Sequence, residues 1–242
     1  MAYYKPSRDS YSADRLTLVS ELRHALQNND LTLFLQPKLS LKTRQVVGLE
    51  ALIRWPERAQ TVRPDEIVIL AEQTALIKPL TRWVLEQSLS LRTRLMEHGW
   101  QLGMSVNISP NNLREPDFPL FVQRLMSRFH THEGTVTFEV TETSMMQDPA
   151  NSLTALNSLS AAGIPISIDD FGSGYSSLSY LRHFPFDTLK IDRDFISAMN
   201  DSPEARAIVR TIIRLGQALG MTIVAEGIEE KQQAEYLAAN GC

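Results

Sequence analysis

The strongest constraint on the fold is a regular alternation of strand-like and helix-like segments from Gln101 to the end of the chain. Short apolar runs alternate with segments whose apolar residues recur at helical spacing. Repeated units of this length predict a parallel sheet covered by helices. The strands of this region are predicted at Gln101–Ile108, Thr135–Thr141, Pro165–Asp170, Thr188–Asp192 and Met221–Glu226. The helices are predicted at Pro119–Phe129, Pro149–Ala162, near Ser177–Arg182, Pro203–Leu219 and Lys231–Ala239.

Two more strands are predicted upstream, at Leu31–Leu39 and Gln45–Ile53. Only a short turn around Lys42-Thr43-Arg44 separates them, whereas a parallel crossover needs about a dozen residues or more. If these two strands pair, they must therefore run antiparallel. Two helices, Asp65–Leu76 and Pro79–His98, follow before the alternation begins.

These elements predict an α/β fold, a modified TIM-type (β/α)8 barrel with one antiparallel strand. Seven strands are predicted, and the chain ends at Asn240-Gly241-Cys242, where a helix C-cap would lead into an eighth, so the last strand is expected to be missing. Residues 1–12 are polar and without period, which is typical of a disordered tail or linker. Residues 13–242 are predicted to form one domain, and its first helix is expected at Ala13–Gln27.

Composition excludes several classes of function. A formal net charge of −4 argues against binding of DNA or RNA polymers, which requires a basic surface. The single cysteine, Cys242, fits a reducing compartment. No apolar run approaches the roughly 20 residues of a membrane span, so no membrane segment is expected within the chain. We expect a cytoplasmic location, either for the chain itself or as the cytoplasmic part of a larger protein.

Two adjacent carboxylates, Asp169 and Asp170, end one predicted strand and enter a glycine-containing loop that runs to Ser177. Neighbouring ionised carboxylates repel each other unless a cation or a raised pKa offsets the repulsion. These residues alone fit a metal site and a capped turn equally well.

Strand alternation distinguishes the two interpretations. Side chains alternate between the faces of a strand, and the apolar set must meet the helices, so the polar set points inward. The inward polar residues near the carboxyl ends of the strands are Glu50, Asn107, Glu139, Asp169, Lys190 and Glu226. They are expected to converge where barrels of this kind build their active sites. An oxygen-rich set without His or Cys favours Mg²⁺ or Mn²⁺, and two such ions are a common device for phosphoester hydrolysis.

The same residues resemble the motifs of the EAL domain, the bacterial phosphodiesterase of the second messenger cyclic di-GMP. The matching segments, in order, are Gln36-Pro37, Glu50-Ala51-Leu52 with Arg54-Trp55, Ser105 to Ser109, Phe138 to Glu142, Asp169 to Ser177, Leu189 to Asp192 and Ala225 to Glu229. The resemblance covers Leu31 to Cys242. It implies a barrel with one antiparallel strand and hydrolysis of cyclic di-GMP to linear pGpG, which lowers the messenger level in bacterial signalling.

The resemblance also implies roles for individual residues. Glu50, Asn107, Glu139 and Asp169 resemble the ligands of a first Mg²⁺ or Mn²⁺, and Asp169 and Asp170 those of a second ion. Lys190 would hold the attacking water or stabilise the charge beside it, and Glu226 would be the general base. Gln36, Leu52 and Arg54 would bind the substrate, with Arg54 at a phosphate. Glu142 matches a glutamate that anchors the 169–177 loop, a segment linked in the family to metal binding and dimerisation, although a capping carboxylate is an equal alternative.

Two departures from the family pattern stand out. Trp55 runs directly into Pro56-Glu57-Arg58, without the usual His and Gly, and the final strand with its Gln-Gly-Tyr sequence is absent. The alternative function is a cyclic di-GMP receptor or regulatory interaction domain that does not hydrolyse its ligand. The complete polar set favours the enzyme. Ca²⁺ is expected to inhibit, and the resemblance suggests a homodimer and an upstream sensory or cyclase module as partners.

Overall fold

The structure is a computed structural model that describes residues 7–172 and 181–242. Within them, seven strands form one sheet in chain order. The strands are β1 (Thr32–Leu39), β2 (Val46–Arg54), β3 (Gly103–Asn107), β4 (Val136–Thr141), β5 (Ile166–Phe171), β6 (Thr188–Ile191) and β7 (Thr222–Ala225). Strands β2 to β7 are parallel to one another, and β1 runs antiparallel to β2 with Gln36 opposite Glu50. The predicted antiparallel pair is thereby confirmed.

The described helices cover the sheet as the alternation predicts. They are α1 (Ser7–Asn28), α2 (Pro64–Glu72), α3 (Ile77–Glu97), α4 (Pro110–Leu113), α5 (Phe118–Arg128), α6 (Glu142–Met145), α7 (Pro149–Ala161), α8 (Arg193–Ala198), α9 (Pro203–Ala218) and α10 (Lys231–Ala239). Helices α4, α6 and α8 have too few residues to show a helical period in the sequence. Helix α1 begins at Ser7, within the segment expected to be a tail. Most of the helix predicted near Ser177–Arg182 lies outside the described residues.

The sheet curls strongly. Neighbouring strands lie about 4.8 Å apart, so β2 and β6 would be separated by roughly 19 Å in a flat sheet. Nevertheless, Nζ of Lys190 on β6 lies 3.3 Å from Oε2 of Glu50 on β2. The fold is therefore an α/β barrel of TIM type with one strand missing, as predicted. In the described part of the chain, β1 and β7 are the two edges of the sheet.

The two faces of the strands differ as the alternation requires. In β4, Val136, Phe138 and Val140 are each 1% exposed and belong to the main core between sheet and helices. Glu139 points to the inside of the curl. Helix α1 contributes to a second, smaller core, in which Leu22 and Ala25 pack with residues of α2 and α3. None of the helices in residues 7–172 and 181–242 is long and apolar enough to cross a bilayer.

Candidate active site

The ammonium group of Lys190 lies at the centre of a ring of carboxylates inside the curl. Its Nζ is 2.6 Å from Oε2 of Glu139, 3.0 Å from Oδ2 of Asp169 and 2.6 Å from Oε1 of Glu226. The fourth carboxylate, that of Glu50, lies 3.3 Å away. Lys190 is only 1% exposed, so solvent has little access to its ammonium group.

Asn107 completes the predicted set of six. Its Nδ2 donates a hydrogen bond of 2.9 Å to Oε1 of Glu50, so the last residue of β3 is linked directly to the middle of β2. All six residues that strand alternation placed inside the sheet therefore contact one another in a continuous network. This arrangement follows from the register, in which Glu50 pairs with Ser105 and Asn107 with Glu139.

Asp170 reaches the same region through an irregularity of β5. Strict alternation would turn Asp170 away from Asp169, but the pairing of β5 with β6 shifts register between Ile168 and Phe171. Asp170 has a left-handed backbone conformation with φ of 52°, which aspartate tolerates better than most residues. One carboxylate oxygen each of Asp169, Asp170 and Glu226 then lie within 4.8 Å of one another.

This carboxylate group fits a divalent cation. Its donors are all anionic oxygens, the ligand type that Mg²⁺ and Mn²⁺ prefer. The donor set is therefore chemically suited to a divalent ion of this type.

The pKa values of the ring show that Lys190 does not offset burial and mutual repulsion equally at the four carboxylates. Burial raises the pKa of Glu50, and the nearby Glu139 raises it further. Burial likewise raises the pKa values of Asp169 and Glu226 despite their contacts with Lys190. Burial alone would raise the pKa of Glu139 too, but the two lysines beside it outweigh burial and lower its pKa. Burial alone would lower the pKa of Lys190, and the carboxylates instead raise it well above its usual value.

Lys38 is the second of these lysines, and it is not among the site residues predicted from the sequence. Its Nζ lies 2.5 Å from Oε1 of Glu139 and donates a 2.7 Å hydrogen bond to Oγ of Ser105. Alternation does place Lys38 on the same face of β1 as Gln36. The antiparallel direction of β1 could have indicated Lys38 as a site residue, because it brings this side chain into the curl from the opposite end.

A cavity of about 530 Å³ opens beside the carboxylate ring. Leu52, Arg54, Asn107 and Glu139 line it, as do apolar residues of α2 and α3. Arg54 donates a hydrogen bond to its neighbour's carbonyl oxygen, and its guanidinium lies 5.3 Å from the ring centroid of Phe34. Two of the three predicted substrate-binding residues thus share one cavity with two of the predicted metal ligands.

The remaining two predicted residues occupy different positions. Gln36 faces Glu50 across the β1–β2 pair and is exposed, but it does not line the cavity. Glu142 is only 3% exposed, and its Oε2 accepts a 3.2 Å hydrogen bond from the backbone N–H of Gly172. Glu142 therefore holds the first residue of the loop that follows β5. Residues 173–177 of that loop lie outside the described residues, so its part in dimerisation stays a prediction.

Comparison with known proteins identifies the family. The EAL domain family model matches residues 19–242. The chain belongs to the EAL domain family. A relative from Pseudomonas aeruginosa, the bifunctional diguanylate cyclase/cyclic di-GMP phosphodiesterase MucR, is 36% identical over 245 residues, which cover 99% of this chain and 35% of MucR. The cyclic di-GMP phosphodiesterase RocR of the same organism is 32% identical over 228 residues, covering 94% of this chain and 58% of RocR.

Solved structures agree with the fold of this EAL domain. The PaMucR phosphodiesterase in complex with c-di-GMP superposes with a TM-score of 0.87 at 38% identity, covering 93% of this chain and 92% of that chain. The EAL domain described here spans 35% of the length of MucR and 58% of that of RocR. Most of MucR and a large part of RocR therefore have no counterpart in the 242 residues of this chain.

Proposed function

We propose that this EAL domain hydrolyses cyclic di-GMP to linear pGpG in a reaction that depends on Mg²⁺ or Mn²⁺. The observation that carries the proposal is the ring of four carboxylates around Lys190, next to a cavity of about 530 Å³. A purely structural scaffold would have no reason to bury these charges together, since burying ionised groups costs free energy.

The cavity suits one half of a cyclic dinucleotide. Apolar side chains such as Val68, Ile69 and Leu80 line it and could cover the face of a guanine base. Arg54 is a lining cation at the end of β2, and its planar guanidinium can pair with two oxygens of a phosphate. Leu52 would pack against the nucleotide, and Gln36 would contact it from β1.

The ring of carboxylates would hold the metals. Glu50, Asn107, Glu139 and Asp169 would ligate a first ion, and Asp169 and Asp170 a second. Bound divalent cations would neutralise the phosphoryl oxygens and lower the pKa of the attacking water.

Glu226 and Lys190 would act on the water. Glu226 would accept the proton as the water oxygen bonds to phosphorus, because its carboxylate lies at the ring and remains partly accessible. Lys190 would hold the water in position through its N–H groups. The bond from phosphorus to the 3′ oxygen would break, and that oxygen would take a proton from solvent. The ring of the cyclic dinucleotide would thereby be opened once, which yields pGpG.

The biological setting belongs to the same proposal. A chain that degrades cyclic di-GMP would act in bacterial signalling, and we infer that it would do so in the cytoplasm. Its partners would be an upstream sensory or cyclase module and a second copy of the chain at the 169–177 loop.

The test is a direct assay of the purified protein with cyclic di-GMP and either Mg²⁺ or Mn²⁺, with the products separated by chromatography. We expect pGpG, and we expect Glu50→Ala to remove its formation. Ca²⁺, whose coordination is longer and less rigid, should bind without supporting turnover. Tight binding of cyclic di-GMP without any pGpG would replace the enzyme by the receptor alternative. Full turnover with Ca²⁺ would contradict the proposed metal chemistry.

A further inference from the structure

Lys38 approaches the carboxylate ring from the end of the curl opposite to the cavity. Strand β1 is antiparallel to β2, and Lys38 pairs with Gly48 two residues before Glu50 in β2. Its side chain must therefore extend along the inside of the sheet to reach Ser105 and Glu139. Strands β1 and β4 are three strands apart, so the curl of the sheet brings Lys38 to Glu139.

The two oxygens of the Glu139 carboxylate have different partners. Oε1 lies 2.5 Å from Nζ of Lys38, and Oε2 lies 2.6 Å from Nζ of Lys190. Glu139 is 0% exposed, so no solvent competes for either oxygen. The orientation of this carboxylate is therefore determined by the two lysines.

The two lysines differ in how firmly each can fix the orientation of the Glu139 carboxylate. Lys190 contacts four carboxylates, so it can exchange one partner for another without losing its compensating charge. The ion pair of Lys38 involves Glu139 alone among the described residues. Lys38 also donates to Ser105, which fixes its ammonium group in place.

We propose that Lys38 is a positioning residue that holds Oε1 of Glu139 and thereby fixes the orientation of a carboxylate that would ligate a divalent cation. This inference rests on the proposed function, since it assigns Glu139 as a metal ligand. Partners that orient the ligands of a metal commonly contribute about 10- to 100-fold to metal affinity. Lys38 itself contacts neither substrate nor the reacting atoms.

The direction of the change in metal affinity distinguishes an effect of carboxylate orientation from an effect of charge. Removing a cation close to a divalent ion would by itself strengthen metal binding, because it removes electrostatic repulsion. Loss of orientation would weaken metal binding. Lys38 also helps to lower the pKa of Glu139, so its loss favours the protonated carboxyl. Weaker binding that persists as the pH is raised therefore reports positioning.

The variant that tests this is Lys38→Met, which keeps the length of the side chain and removes its charge and donors. Lys42→Met is the matched control, because Lys42 is exposed in the turn after β1. Lys38→Arg keeps a cation and should recover part of the effect. Mn²⁺ affinity is measured by titration calorimetry, and turnover is measured as a function of Mn²⁺ concentration.

We expect Lys38→Met to weaken Mn²⁺ binding about tenfold or more. The Mn²⁺ concentration for half-maximal turnover should rise, and turnover should recover at saturating Mn²⁺, while Lys42→Met behaves as the parent chain. If Lys38→Met does not fold, Lys38→Gln takes its place, because its amide can still donate a hydrogen bond but carries no charge.

Unchanged or stronger Mn²⁺ binding in a folded variant would overturn the role of Lys38, even if the parent chain hydrolyses cyclic di-GMP. A purely structural role would appear as a lower melting temperature with unchanged Mn²⁺ affinity, and this result also overturns it. A parent chain that binds Mn²⁺ without producing pGpG would contradict the proposed function alone. A parent chain that binds no Mn²⁺ would overturn both.

Discussion

Lys190 and Glu226 form an ion pair in which Nζ lies 2.6 Å from Oε1. The proposed general base is thus paired with the residue proposed to hold the attacking water. Glu226 is the most exposed of the four carboxylates around Lys190, with 31% of its side chain accessible against 12% for Glu50. Among the four, it is therefore best placed to accept a proton and pass it to solvent.

The change Glu226→Gln should remove turnover and leave binding of cyclic di-GMP in place. Burial raises the pKa of Glu226, so folding disfavours its ionised form. The contribution of Glu226 to the free energy of unfolding is fully present below its unfolded-state pKa of about 4.3. It is lost as the pH rises through the raised pKa of the folded state. At neutral pH without metal, Glu226→Gln should therefore melt higher than the parent chain.

Thermal melts of the metal-free protein across pH check this expectation. The difference between Glu226→Gln and the parent should disappear in acid. Glu235→Gln, at an exposed position of α10, is the control. A variant that melts lower than the parent at neutral pH would show that the ion pair with Lys190 outweighs burial.

Removing the central cation by Lys190→Met should destabilise the metal-free fold. The four carboxylates would lose their common partner, and breaking a buried ion pair typically costs about 3–5 kcal/mol. Urea denaturation measures this loss, with Lys231→Met on the exposed face of α10 as control. Mn²⁺ should restore stability, because it supplies the missing positive charge. Equal stability of Lys190→Met and the parent would contradict the central role of Lys190.

Substitutions at Asp170 should separate its backbone role from its ligand role. Asparagine tolerates the left-handed conformation at φ of 52°, whereas alanine pays roughly 1–2 kcal/mol there. Asp170→Asn should therefore be more stable than Asp170→Ala in metal-free melts. Both variants lack the carboxylate and should bind Mn²⁺ more weakly than the parent. Parent-like Mn²⁺ binding in both would exclude Asp170 as a ligand.

The hydrogen bond from Gly172 to Glu142 predicts a difference between two variants. Glu142→Gln keeps an oxygen acceptor, and Glu142→Ala leaves the partly buried N–H of Gly172 without one, at a cost of at most about 1–3 kcal/mol. Gly172 itself has φ of 99°, and a Cβ there would meet the ring of Phe195 at 2.8 Å, so this position favours glycine. We expect Glu142→Ala to lose both stability and turnover, and Glu142→Gln to keep most of both. Equal stability and turnover for the two variants would contradict the anchoring role.

Much of the fold was predictable because its physical basis is local. The short turn at Lys42-Thr43-Arg44 allowed only an antiparallel pair, and the structure confirms it. The period of the apolar residues located α9 (Pro203–Ala218) to within a residue, whereas α1 begins six residues before its predicted start and α2 ends four residues before its predicted end. Helices α4, α6 and α8 were not predictable, since a helix of four to six residues shows too little of a helical period.

The site was predictable to the extent that strand alternation held. Glu50, Glu139 and Lys190 lie inside the curl because their apolar neighbours are needed on the helix-covered face. Alternation fails at Asp170, where a register shift and a left-handed residue turn a second carboxylate towards the first. No local pattern in the sequence predicts that register shift.

The sequence by itself determined the order of strands, the antiparallel pair and the set of polar residues that face inward, because these depend on turn length and on period. Tertiary structure alone decided which of those residues meet. Lys38 contacts Glu139 across 101 positions of sequence, and Lys190 contacts Glu50 across 140. The curl of the whole sheet creates these contacts, and the curl results from the packing of all the strands together.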